Sequence, residues 1–229
     1  MEIDVKYRPA HSLGVVRLDS GDSITAEAGA MVTMNDQVQA STTARAGAKG
    51  GLLKSLKRTF LTGESFFTNT FTGIGSGGEV TLAPSLCGDM CVHELLPSED
   101  LMIQSTSYLA SDSSIDLDTA WQGLKALFSG ESFFFLKCSG QGHVVMSAFG
   151  GMEVIELDGD MIVDTGHLVA FTSGISYRTT KPGGSWIQAF FSGEGVVLHV
   201  SGKGRLYLQT RNPSEYGSYV GSKLPAREA

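Results

Sequence analysis

Gly63-Glu64-Ser65-Phe66-Phe67 recurs unchanged as Gly130-Glu131-Ser132-Phe133-Phe134, and a degenerate copy follows as Gly193-Glu194-Gly195-Val196-Val197. The surroundings repeat as well, so the chain reads as one structural unit written three times. After Gly130-Glu131 an apolar run leads to Gly140-Gln141-Gly142 and then to His143-Val144-Val145-Met146. After Gly193-Glu194 a similar run leads to Gly202-Lys203-Gly204 and Arg205-Leu206-Tyr207-Leu208. The first copy is longer, with Gly73 to Gly78 ahead of Glu79-Val80-Thr81-Leu82. Each copy is strand, glycine turn, strand, because such a turn uses backbone conformations that glycine reaches at least cost. No helix pattern opens after these Gly-x-Gly turns, which argues against a dinucleotide fingerprint.

Upstream of each Gly-Glu lies a second repeated half, a polar turn closed by Asp and followed by a strand. Leu18 to Asp22 leads into Ile24, Leu96 to Asp100 into Met102, and Leu157 to Asp160 into Ile162, which places these three apolar residues in register. The units run over residues 1–84, 85–150 and 151–212, and 213–229, with Pro213 and Pro225, reads as an extended tail. The expected fold is mainly β: three repeated β units in a shared pseudo-threefold body, with one or two short helices. Those helices are expected near residues 50–61 and 120–128, where apolar residues fall at three- and four-residue spacing.

Composition narrows the function classes. The 229 residues carry 41% hydrophobic and 18% charged side chains, ordinary for a globular protein, and 29 glycines that suit short strands and tight turns. A net charge of -7 argues against nucleic acid as a partner, since phosphate neutralisation supplies most of that affinity. Three cysteines, Cys87, Cys91 and Cys138, make no disulfide framework and read as reduced thiols. Cys87, Cys91 and His93 have no second ligand pair nearby, so no metal is expected. With no basic-then-apolar start and no run of 18 apolar residues, the expected location is cytoplasmic.

The residues offer no catalytic constellation and call for no cofactor. Glu64, Glu131 and Glu194 recur with the motif. Either they converge near a threefold axis to hold a cation or an amine, or each accepts backbone N–H groups at its own turn. Repetition favours the second reading, with Gly63, Glu64, Gly130, Glu131, Gly193 and Glu194 as turn residues. His167 follows Asp164 by three residues, a candidate acid–base pair or a turn histidine. No Gly-x-Ser-x-Gly elbow sits between a strand and a helix. The most suggestive segment sets Lys54, Lys57 and Arg58 among Leu52, Leu53, Leu56 and Phe60. Such a run suits an anionic membrane surface or a protein groove, or else it caps the core.

Four stretches in order, Glu27 to Met31, Leu61 to Ser65, Val163 to His167 and Leu208 to Arg211, resemble a prokaryotic member of the altered-inheritance-of-mitochondria type 24 family. The resemblance spans about residues 3 to 212. It implies a fold similar to the tryptophan RNA-binding attenuation protein, of double-stranded β-helix or sandwich type. Mitochondrial relatives are linked to inner-membrane organisation, and the resemblance brings no catalytic residues. The expected function is a non-enzymatic scaffold or binding module that self-associates as a homo-oligomer or engages a membrane or protein partner. The alternative, by fold analogy alone, is a regulator responsive to a small ligand or to RNA.

Overall fold

A computed structural model of the chain describes residues 1–44, 67–118, 135–180 and 197–225. Those residues form 17 strands and one α-helix, so the molecule is mainly β. The first unit holds β1 (Glu2–Lys6), β2 (Leu13–Leu18), β3 (Ser23–Glu27), β4 (Met31–Met34), β5 (Val38–Ala44), β6 (Phe67–Gly73) and β7 (Gly78–Leu82). The second holds β8 (Met90–Leu95), β9 (Leu101–Gln104), β10 (Tyr108–Asp112), β11 (Asp116–Asp118), β12 (Phe135–Ser139) and β13 (Gly142–Ser147). The third condenses the same pattern into β14 (Met152–Asp164), β15 (Leu168–Thr172), β16 (Ile175–Thr180) and β17 (Val197–Gln209). Its long β14–β17 ladder passes through opposed Gly159 and Gly202, with φ of 134° and 132°, a conformation that other residues rarely adopt.

All pairing between the named strands is antiparallel and repeats from unit to unit. In the first unit β7 lies between β2 and β4, and β6 between β3 and β5. In the second, β13 lies between β8 and β10, and β12 between β9 and β11. In the third, β17 serves both purposes against β14, β15 and β16. A bulge recurs at one place in each, between Met31 and Thr33, Tyr108 and Ala110, and Leu168 and Ala170. Because a one-residue slip would turn every side chain to the other face, three matching bulges fix the equivalence of the units residue by residue.

The units share sheets rather than sitting side by side. β3 pairs with β10, and β9 pairs with β15. Each junction splices half of one unit to half of the next, giving the orders β5-β6-β3-β10-β13-β8 and β11-β12-β9-β15-β17-β14. The first unit's other half stands in a smaller sheet, β1-β2-β7-β4.

Core residues follow the same equivalence. Leu18, Leu95 and Leu157 correspond, as do Ala26, Ile103 and Val163, Val38, Ile115 and Ile175, and Val80, Val144 and Leu206, all buried. Alternating strands aim these side chains inward, and full burial of each Leu, Ile or Val stabilises by about 1.5–3 kcal/mol. Cores also borrow from the next unit. The first includes Leu109, Ala110 and Val145 of the second, and the second includes Val169, Ala170 and Tyr207 of the third.

Two expectations are corrected. The ladders put Ile24 with Leu101 and Met161, while Met102 and Ile162 correspond to Thr25, one residue away from the register read from the turns. The turns differ in length, and ladder register overrides turn spacing. The tail is not extended from Pro213: residues Pro213–Gly221 form helix α1. The Asn212 side chain accepts from the backbone N–H groups of Ser214 and Glu215 at 3.0 and 3.4 Å, and proline at the first helical position has no N–H to lose. Tyr216 of α1 lies 5.1 Å from the Phe149 ring, which holds the helix to the body. The helices expected near residues 50–61 and 120–128 lie outside the described residues.

Candidate functional site

All three units meet at a cavity of about 250 Å³. Its lining includes Glu27 from the end of β3, Thr106 and Ser107 from the turn between β9 and β10, Ser147 from the end of β13, and Gln209 from the end of β17. Apolar walls complete it, Phe149 and Leu86 among them. The floor is fixed by Gln209, whose Oε1 accepts from Phe149 N at 2.9 Å while its Nε2 donates to the Gly166 carbonyl at 2.9 Å.

Among the described residues that line the cavity, Glu27 is the one that ionises. Burial pushes its carboxyl up to about 7, because the apolar walls disfavour the charged form. It therefore changes charge near neutrality and suits a cationic or hydrogen-bond-donating group. Its folded pKa lies above its unfolded one, so its favourable contribution is full below pH 4.5 and is lost as pH rises through 7. Glu27→Gln is expected to leave stability unchanged at pH 4.5 and to raise it at pH 8 by about 1–3 kcal/mol. Urea unfolding at the two pH values checks it.

A second polar cluster crosses the interior. His93 Nε2 lies 3.2 Å from Glu99 Oε2, and His93 Nδ1 lies 2.7 Å from the Tyr207 hydroxyl. The carboxylate can only accept, so Nε2 carries the proton and the Tyr207 hydroxyl donates to Nδ1. Burial, with nearby Arg205, holds His93 below its ordinary pKa and keeps it neutral. Burial likewise pushes Tyr207 up to about 12. The other units place Val16 and Ile155 where His93 stands, and Thr81 and Val145 where Tyr207 stands. The cluster thus breaks the repeat, and it ties β8 of the second unit to β17 of the third.

The remaining sequence candidates separate. His93 has both ring nitrogens engaged, Cys87 is exposed and Cys91 half-buried. Cys138 occupies the core position of Phe71 and Val200, where burial pushes its thiol up to about 12. Asp164 accepts from Gly166 N at 2.7 Å, and His167 Nδ1 donates to the Gln209 carbonyl at 2.7 Å. Leu52, Leu53, Lys54, Leu56, Lys57, Arg58 and Phe60 lie outside the described residues, as do Gly63, Glu64, Gly130, Glu131, Gly193 and Glu194. The strands flanking these segments end side by side, Ala44 opposite Phe67, Asp118 opposite Lys137, and Thr180 opposite Val197. Among the described residues, no helix is long and apolar enough to cross a membrane.

The family model described as mitochondrial biogenesis AIM24 matches residues 3–211. The chain belongs to the AIM24 family. Over 215 residues this AIM24 protein is 28% identical to an uncharacterised protein of Streptococcus pyogenes serotype M6, covering 92% of this chain and 86% of that one. It also superposes on the crystal structure of a Streptococcus pyogenes protein with a TM-score of 0.78 at 24% identity, covering 97% of this chain and 99% of the other. That likeness establishes a shared fold. Glu27 falls in the first stretch that carries the sequence resemblance. The cavity was not visible in that stretch, because its walls come from residues up to 186 positions away, at Pro213.

Proposed function

We propose that this AIM24 protein is a non-enzymatic scaffold in a reducing, cytoplasmic setting, and that it works by binding protein surface, other copies of itself included. The observation that carries this reading is the exposed apolar character of two sheet edges that have no strand partner among the described residues. Met31, Val32 and Met34 are 42%, 53% and 44% exposed along β4, and Ile162 is 61% exposed along β14. Strand edges with apolar side chains and unpaired backbone groups are templates for association. Three free cysteines support the reducing setting.

A screen of small substrates, run beside sedimentation velocity of the full chain, tests the proposal. Concentration-dependent association without turnover is expected. Turnover that disappears in Glu27→Gln would overturn it. The cavity favours a second reading, a small amine-bearing ligand held by Glu27, and the same variant would then abolish a ligand-induced rise in melting temperature.

A further inference from the structure

Two junctions splice the three units, and the structure carries both halves of a third. Wherever β3 or β9 occurs, its outer edge pairs with β10 or β15 of the following unit. The equivalent outer edges are the second half of β14 and the whole of β4. Each lies last in its sheet. Among the described residues, the other sheet edges, at β1, β5, β8, β11 and β16, lie away from the junctions. Among the described residues, these two outer edges have no strand partner where their counterparts have one.

Burial marks the same vacancy. In β10 and β15, Leu109, Ala110, Val169 and Ala170 are fully buried, whereas the corresponding Val32 is 53% exposed. On the other side Thr25 and Met102 are buried, whereas the corresponding Ile162 is 61% exposed. The cores agree. The first borrows Leu109, Ala110 and Val145 and the second borrows Val169, Ala170 and Tyr207. The third does not include Val32, the residue that matches Leu109 and Val169.

We infer that a second copy of this chain fills the vacancy, its β4 pairing antiparallel with β14 so that β16-β17-β14 and β4-β7-β2-β1 become one continuous sheet. This rests on the reading of the protein as an associating scaffold. The register follows from the existing junctions, which pair Ala26 with Ala110 and Ile103 with Ala170. It sets Val163 opposite Thr33, Ile162 opposite Met34 and Met161 opposite Asn35. Met34 then covers Ile162, and Val32 reaches the third core. Asp36 and Asp160 come to lie at the end of this ladder, where Ser173 N meets the Asp100 carbonyl at 2.9 Å in the formed junction. Like charges there make the association stronger in salt.

The test uses the full chain with exposed Cys87 replaced by Ser, in moderate salt. A Thr33→Cys chain and a Val163→Cys chain are mixed, oxidised and resolved without reductant. A covalent product of twice the chain mass, in excess over either variant alone, is expected. Ala26→Cys with Ala110→Cys, the same pair in a formed junction, is the standard and closes within one chain. When Thr33→Cys and Val163→Cys are placed together, a bond closed inside a single chain overturns the inference. So does the absence of any product beside a closed standard. Sedimentation decides independently: Ile162→Lys, at an exposed side chain, is expected to weaken self-association at least about tenfold. Association indifferent to Ile162→Lys removes this junction and leaves the scaffold reading standing. Catalytic turnover removes the scaffold reading instead.

Discussion

Tyr108→Ala is expected to destabilise the protein by about 3–5 kcal/mol, the cost of emptying a large aromatic site that cannot collapse. Tyr108 is fully buried in the second unit's core. Its hydroxyl donates to the Thr25 carbonyl at 3.2 Å and lies 2.9 Å from Ser111 Oγ. Thr25 belongs to β3, so the side chain fastens the first unit to the second across their spliced sheet. Tyr108→Phe keeps the ring and loses the hydroxyl, and about 1 kcal/mol is expected there. Urea unfolding followed by circular dichroism checks both. A loss below about 1 kcal/mol for Tyr108→Ala would show that the junction does not depend on this ring.

Gly88→Ala is expected to cost at least about 2 kcal/mol, for a different reason. Gly88 leads into β8 and forms a parallel bridge with Gly150, which leads towards β14. Ser12 N donates to the Gly88 carbonyl at 3.1 Å, and Asp89 N donates to the Gly150 carbonyl at 2.8 Å. The connections that open successive units thus bond to one another in a repeated step. A Cβ at Gly88 would strike the Ala148 carbonyl oxygen and sit 2.7 and 2.8 Å from Gly150 O and N. All three are backbone atoms and cannot swing aside as a side-chain end would. Gly151→Ala is the control, since a Cβ there meets only the Thr210 side chain at 3.5 Å. It should change stability by no more than about 0.5 kcal/mol. Equal losses from the two variants would refute the backbone-contact argument.

The repeated strands were legible because their cause is local. Gly140 and Gly142, at φ of 120° and 145°, do turn the chain between β12 and β13, which enter different sheets, whereas Gly202, at 132°, lies inside the unbroken β17 where a turn was expected. The splicing was not legible. Ala26 meets Ala110, and Ile103 meets Ala170, through ladders whose register no nearby residue announces. Helix α1 was misread because Pro213 suggested an ending. After Asn212 it is a beginning, and only the cap geometry separates the two. Glu27 drew no notice as a site because its consequence depends on desolvation, and the walls that desolvate it arrive from the other two units. His93 and Tyr207 stand in strand patterns that otherwise hold apolar residues. That break in the pattern was the available signal for their buried contact.

The splicing of β3 to β10 and of β9 to β15 has an arithmetic consequence. A linear array of such units has one junction fewer than it has units, whatever its length. Duplicating a unit within the gene adds one complete sheet and leaves the same two ends unmatched. Lengthening the array never satisfies its ends, and only joining them does. Copy number and closure are therefore separate variables for this architecture, and a change in one leaves the other to be met by different residues.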